Sequence, residues 1–339
     1  MRRWVMYTAG CLFVGIIGGG LSVYWKYEPI RHFEQVDVPV LSRPSLPIEE
    51  GVTISQSAAA VEGTPQVMQQ APAHPLKSFN VLLLGTDARG TENSRSDVII
   101  VLHIIPSMRK INMISIPRDS RVYMEGVGYT KINHAHMLGE MRGGNEEGTK
   151  EALQTVSNFL DVPINYYMKT NFKGFEDFID TIGGVNVEVR QNIHLLHAGV
   201  TLPQGQQHID GKLALSLVRE RYAFANGDFD RQSEQTQLLK TVASEILRPD
   251  HVGEIAGLLT KVKKDIVDTN FKDSDMISLA WLFKGMTPDD FTTKQVPGHS
   301  GYEMDPLVRA RLYYWIPDMA KVKEISSTLF SQNDIVRER

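Results

Sequence analysis

Leu217-Val218-Arg219-Glu220-Arg221 sits past the middle of this chain, and Arg231 follows within Gly227-Asp228-Phe229-Asp230-Arg231-Gln232. Well upstream lie Asp87, in Gly85-Thr86-Asp87-Ala88-Arg89, and Asp97, in Arg95-Ser96-Asp97, with Pro117-Arg118-Asp119 between them and the arginines. Guanidinium groups do not lose their charge, and carboxylates on loops after apolar runs suit a hard cation. Together they suit a polyanion, a phosphate or pyrophosphate neutralised partly by guanidinium and partly by a divalent metal. The residues are scattered, so this ligand requires a fold that gathers them.

The elements that would do so begin at Phe79. Phe79 to Leu84 is a short apolar run ended by Gly85, as expected for a strand buried on both faces, and Val98 to Ile105 and Ile111 to Ile116 share its character. Ala152, Val156 and Leu160 recur at helical spacing within Gly148 to Leu160. Tyr166 to Thr170 reads as strand, Phe172 to Ile182 as helix and Val185 to Val189 as an alternating strand. Leu238, Val242 and Ile246 mark a helix starting near Asp228. Strands interleaved with helices imply one α/β domain over residues 78–330, its sheet covered on both sides by helices, followed by a short tail, residues 331–339.

The N-terminus predicts where this domain works. Met1-Arg2-Arg3 precedes an uncharged stretch over residues 4–25, long enough to cross a bilayer core of roughly 30 Å as a helix. Arginines before it place residues 1–3 in the cytoplasm and the rest outside, with Trp4, Tyr7, Tyr24 and Trp25 at the interfaces. The length favours an uncleaved signal-anchor over a signal peptide. Residues 26–77, rich in Pro, Gln, Ser, Ala and Glu, read as a flexible stalk, or as an irregular first layer of the domain over Tyr27 to Val40. The single cysteine, Cys11, lies in the apolar stretch, so the outer portion has no disulfide. A net charge of −4 gives no bulk attraction to nucleic acid, and no helix-turn-helix or zinc-finger spacing is present. The histidines show no His-Glu-x-x-His spacing, which argues against zinc hydrolysis; His134 and His136 keep a minor candidacy.

Several segments in order carry a family resemblance: Asn80 to Arg89, Arg95-Ser96-Asp97-Val98, Ser115-Ile116-Pro117-Arg118-Asp119, and Lys131-Ile132-Asn133-His134-Ala135. Gly183-Gly184-Val185, Asp210 to Leu215, Arg219-Glu220-Arg221 and Gly227 to Arg231 continue the series. From Phe79 to about Leu247 the chain resembles the LytR-CpsA-Psr family of membrane-anchored bacterial envelope enzymes; Asp305 to Phe330 resembles the family's C-terminal end. The resemblance implies a central mixed β-sheet sandwiched by helices, outside the cell membrane of a Gram-positive bacterium. It implies transfer of an anionic glycopolymer, of teichoic acid or capsular polysaccharide type, from a polyprenyl pyrophosphate carrier to peptidoglycan. An apolar channel would hold the lipid tail, arginines at its mouth the pyrophosphate, and Mg2+ would lie nearby.

By the same resemblance Asp87 and Asp97 are the expected magnesium ligands, though turn chemistry after Gly85 or a strand-start role would also use them. Arg118, Arg219, Arg221 and Arg231 are the expected catalytic cations, and Arg118 could instead form a surface ion pair. Arg219 and Arg221 form a clamp if that stretch is extended and diverge if it is helical. Arg89, Lys131, Asn133, Asp228 and Gln235 are expected substrate contacts, with a solvated loop the competing role for Lys131 and Asn133. Two departures stand out. Glu234 occupies the place of a family arginine, and Phe224-Ala225 replaces an acidic residue and proline. Three functions follow: a glycopolymer transferase, a hydrolase of the lipid pyrophosphate, or a non-catalytic lipid or glycopolymer binder.

Overall fold

Strands that are apolar on both faces must be covered on both faces, and the computed structural model shows how. It describes residues 27–45, 78–88, 94–189, 191–220, 268–283 and 286–330. In chain order these form α1 (Pro29–Gln35), β1 (Phe79–Thr86), β2 (Ser96–Ile105), β3 (Lys110–Ser115), β4 (Arg121–Met124), β5 (Gly128–Lys131) and α2 (His134–Leu160). Then follow β6 (Tyr166–Asn171), α3 (Phe172–Thr181), β7 (Val185–Val189), β8 (Ile193–Leu195), β9 (Val200–Leu202), β10 (Gly205–Ile209) and α4 (Gly211–Arg219). The described chain closes with β11 (Asp268–Thr269), α5 (Asp273–Phe283), β12 (Phe291–Gln295), β13 (Gly298–Asp305), β14 (Ala310–Pro317) and α6 (Met319–Leu329).

The central sheet has six strands in the order β11-β6-β1-β2-β3-β12. It is mixed, as expected: β1 pairs parallel with β6 and β3 parallel with β12, whereas β2 runs antiparallel to both β1 and β3. Alternation splits each strand between two cores. Leu82 and Leu84 of β1 pack with Ala152 and Val156 of α2 and Val322 of α6. Phe79 and Val81 face the other way, with Phe33 of α1 and Met276 and Leu279 of α5. A third cluster joins α3 and α4 to β7–β10 through Ile179, Val185 and Leu217.

Residues 27–45 correct the expected stalk. Glu28 caps α1 by accepting from the Arg31 N–H at 2.9 Å, and Pro29 occupies the first turn, where its missing N–H costs nothing. Phe33 is buried against Phe79, ring centroids 4.4 Å apart, and His32 Nε2 lies 2.7 Å from Asp275 Oδ1. An isolated bridge then pairs Ser42 with Ile164. A short helix with one apolar pair gives no periodic signal, so composition misled. Residues 46–77, the apolar stretch 4–25 and the tail 331–339 lie outside the described residues. Among those described, no helix is long and apolar enough to cross a membrane.

The strands expected from apolar runs are found within two residues of their expected ends. α2 begins well before Gly148, at His134, and bends at Gly143-Gly144, where φ and ψ leave the helical region. Those two glycines, and the polar turns before them, broke the apolar pattern that would have revealed its first half. The expected helix near Asp228 lies outside the described residues.

Candidate functional site

The direction of the strands decides what gathers where. β1, β6, β3 and β12 all run the same way, so their C-terminal ends share one edge of the sheet, where loops of α/β folds commonly hold ligands. At that edge β1 delivers Asp87, β3 delivers Arg118 and Asp119, and β2 starts with Ser96-Asp97. Gly85 permits the tight pairing: a Cβ there would meet the Val98 Cβ at 3.0 Å. The register slips between Gly85 and Thr86, turning Asp87 out of the ladder.

Asp87 closes the turn between β1 and β2. Its N–H donates to Arg95 O at 3.1 Å, and its Oδ1 accepts from Arg95 N at 2.6 Å. This is the turn role weighed for it, and it engages one carboxylate oxygen. Asp97 Oδ1 accepts from Arg118 Nη1 in a half-buried ion pair. Arg118 Nε is also 3.7 Å from Asp119 Oδ2, and Lys131 Nζ donates to Asp119 Oδ1 at 2.7 Å. Asp97, Arg118, Asp119 and Lys131 therefore alternate in sign along one line. Arg118 is paired, but the pair is half-buried rather than on the open surface, and it lies at the sheet edge where the ligand is expected.

Asn133 knits this line to the hairpin: its N–H donates to Arg118 O and its carbonyl accepts from Ser96 N. It stands at the N-cap of α2, not in a solvated loop, and is buried. Its Oδ1 is a buried acceptor with no hydrogen-bond partner among the described residues.

Arg219 is the last residue of α4, whose start is capped by Asp210 accepting from Leu213 N at 2.9 Å. Its guanidinium carbon lies 4.7 Å from the centre of the Phe172 ring, directly after the C-terminal end of β6. The backbone turns extended at Glu220, which is buried and accepts from Leu196 N at 3.0 Å. Arg219 is thus helical and Glu220 extended, and the described segment ends there. Arg89, Arg221, Asp228, Arg231 and Gln235 lie outside the described residues, as does Glu234.

The sequence did not mark Lys169 at all. It is 1% exposed on β6, beside Leu84 of β1. Its Nζ donates to Asn145 Oδ1 and Thr149 Oγ1, both at 2.6 Å, and lies 3.2 Å from His136 Nε2 and 3.6 Å from Asp268 Oδ2. His136 Nδ1 in turn lies 3.2 Å from Ser94 O, and Glu140 accepts from Ser94 N at 2.6 Å. Burial lowers the pKa of both Lys169 and His136; Asp268 works against this at Lys169, and the Lys169 cation lowers His136 further. The network holds Ser94, and through it the Asp87–Asp97 turn. The neighbours of Lys169 in β6 give no sign of its polar partners, which come from α2 and β11.

His134 is held near neutrality of charge on the other flank. Thr130 Oγ1 lies 2.8 Å from its Nδ1, and burial, then the Arg95 cation, lowers its pKa to about 4. A cavity of about 460 Å³, lined by Val40, Arg43, Phe79, Asn80, His103 and Phe330, sits at the opposite end of the sheet, where β1 begins. It is remote in topology from the acids and arginines, so it is not the candidate site.

The LytR_cpsA_psr family model matches residues 48–331, which is most of the chain. The chain belongs to the LytR_cpsA_psr family. A family relative, the polyisoprenyl-teichoic acid–peptidoglycan teichoic acid transferase TagU of Bacillus cereus, is 31% identical over 326 residues, covering 94% of each chain. The crystal structure of Bacillus subtilis TagV superposes with a TM-score of 0.65 at 29% identity, over 76% of this chain and 97% of that one. A structure of TagT bound to LI-WTA gives 0.61 at 27% identity, over 76% and 90%. For this LytR_cpsA_psr chain, then, the mixed sheet and its covering helices are those of solved relatives.

Proposed function

We propose that this chain transfers a teichoic-acid-type anionic glycopolymer from a polyprenyl pyrophosphate carrier to peptidoglycan. The observation that carries the reading is the line Asp97–Arg118–Asp119–Lys131 at the ligand edge of a sheet shared with relatives named for that transfer. We place the reaction outside the cell, with residues 4–25 as the membrane anchor; the composition of that stretch supports this placement.

Transfer outside a membrane has no ATP to draw on, so the donor must arrive activated. An acceptor hydroxyl oxygen would bond to the glycopolymer-side phosphorus as the bridging P–O bond breaks, the hydroxyl proton leaves, and polyprenyl phosphate departs. Such a step depends on positioning and on neutralising charge at the phosphoryl oxygens more than on covalent help. Arg118 and Lys131 supply fixed cations there, and a pyrophosphate would compete with Asp97 and Asp119 for them. Asn133 adds a buried amide. Arg219 contributes a cation whose planar face is held by Phe172.

Magnesium fits the residues present. Asp87 and Asp97 come from adjoining ends of paired strands, and each engages one carboxylate oxygen in the contacts above. Among the described residues no group of three or more His, Cys, Asp and Glu could hold a metal, but magnesium takes one or two carboxylates with phosphate oxygens and water. Bound there, the ion would neutralise pyrophosphate charge.

The test uses the full chain, a polyprenyl-pyrophosphate-linked teichoic acid and peptidoglycan. Arg118→Ala removes a charge-assisted contact and should lower transfer about ten- to hundredfold. EDTA should stop turnover and magnesium restore it. An unchanged rate in Arg118→Ala removes the proposed site, and metal-independent transfer removes the two aspartates from it.

A further inference from the structure

The β13–β14 hairpin ends in a tip whose apolar side chains face solvent. Tyr302 is 62%, Met304 60%, Leu307 39% and Val308 56% exposed, and Pro306 is exposed between them. Exposed side chains on a mobile loop would carry no meaning, but this tip is built. Asp305, fully buried, accepts from the Leu307 and Val308 N–H groups through Oδ1, both at 2.9 Å. Its Oδ2 accepts from Thr130 and Tyr314 hydroxyls. Arg309 N donates back to Asp305 O at 2.8 Å. One buried carboxylate thus fixes the loop to the hairpin and the hairpin to β5.

The exposed face has an order along its length. Tyr302 pairs with Tyr313 across the ribbon, rings 5.9 Å apart and edge to face, with Met304 opposite Arg311 one step nearer the tip. Leu307 and Val308 lie beyond, roughly 10 Å past the tyrosines at three residues of strand rise. Arg309 and Arg311 flank them, and Arg311 donates to Tyr302 O at 2.9 Å. Besides buried Asp305, the hairpin's acidic residue is Glu303, on the opposite face with Leu312.

We infer that this hairpin docks into an anionic lipid surface, tip first. Aliphatic side chains at the extremity suit the acyl boundary, tyrosines one step back suit the headgroup level, and arginines suit lipid phosphates. The depth from tip to tyrosines matches the roughly 5–10 Å by which interfacial elements enter a bilayer. A saccharide platform would need polar partners at the tip, and none stands between Pro306 and Val308. Because Trp315 N donates to Asp119 O at 2.9 Å, docking would hold the Asp119 edge of the sheet at a set height above the membrane. That consequence rests on the proposed function; the docking itself does not.

The test is a depth measurement on the full chain with Cys11→Ser and Val308→Cys, labelled with a fluorophore and reconstituted in phosphatidylglycerol–phosphatidylcholine vesicles. A control carries Glu324→Cys on α6, exposed and beyond the far end of the hairpin. Lipids bearing a nitroxide near the headgroup should quench position 308 severalfold more than position 324. Arg309→Gln and Arg311→Gln should each weaken docking about fivefold at low salt. Equal quenching at both positions overturns the proposal. So does protection of position 308 only on adding soluble glycan strands, which would make the ribbon a saccharide surface. No turnover is measured, so failure here is distinct from failure of the transfer reading.

Discussion

Two kinds of charged residue lie within a few residues of each other in space, and their substitutions should separate cleanly. Asp97 and Arg118 are 20% and 15% exposed and hold one another at the sheet edge. Asp97→Asn removes the charge but keeps a side-chain oxygen able to accept from Arg118, so it should lower the urea midpoint less than a Lys169 substitution does while raising the magnesium needed for transfer. Lys169 is the opposite case. Lys169→Met would leave Asn145 and Thr149 without their donor and Asp268 without its cation, at a cost of about 3–5 kcal/mol for breaking a buried ionic network. Urea unfolding of both variants decides it; a stable Lys169→Met would mean that the network relaxes around the loss. Asp87, Asp97 and Arg118 could be singled out as candidates because each sits in a short motif beside an apolar run. Lys169 was not, since its partners come from α2 and β11, and nothing local distinguishes a strand lysine that faces water from one that faces asparagine and threonine.

At the scale of elements the central strands and part of their covering could be read, since the second half of α2 follows its apolar spacing, whereas the sheet's edge strands and α1 could not. β1, β2, β3, β6 and β7 announce themselves by apolar content, because burial on one or both faces demands it. β12, Phe-Thr-Thr-Lys-Gln, joins the sheet at its edge, where one side needs no partner and the composition can stay polar. α1 is a helix of seven residues, and its proline and charged residues resemble a linker. Its contribution is concentrated in Phe33, which meets Phe79 at 4.4 Å and Tyr166 at 6.5 Å between ring centroids. Phe33→Ala should therefore destabilise the domain by about 3–5 kcal/mol, the usual cost of emptying a core phenylalanine site. A shift of a few tenths in chemical denaturation would return residues 27–45 to the status of a stalk. The Arg219–Glu220 boundary is a milder case: α4 ends where Glu220 turns extended and accepts from Leu196 N, a contact no local pattern encodes.

For the molecule as a whole, strand direction is what makes a site of separate motifs, and direction is set by pairing between distant segments. The motifs could be placed in order along the chain, but not shown to share one edge until β1, β3 and β6 were known to run together. The same long-range pairing couples overall stability to pH through His134. This side chain lies between β5 and the β13–β14 hairpin, linked by Thr130 to Asp305, and burial lowers its pKa to about 4 from an ordinary value near 6.5. Above pH 6.5 neither the folded nor the unfolded chain protonates it, and its full contribution is present. Between about 6.5 and 4 the unfolded chain binds a proton that the folded chain refuses, so stability falls as pH falls, and the dependence levels out below 4. The total is on the order of 3 kcal/mol for a shift of this size. The carboxylates add to the loss at lower pH: Asp305 works against its own burial, and the hydrogen bonds from Tyr314, Val308, Thr130 and Leu307 leave its pKa lowered. His134→Gln keeps a side chain able to bond Thr130 but has no proton to gain. Urea unfolding of both proteins from pH 7.5 to 4.5 should give a falling curve for the wild type and a flatter one for the variant, the gap opening below pH 6.5. Parallel curves would mean that His134 is protonated in the folded protein as readily as in the unfolded chain, and that its burial is relieved by water.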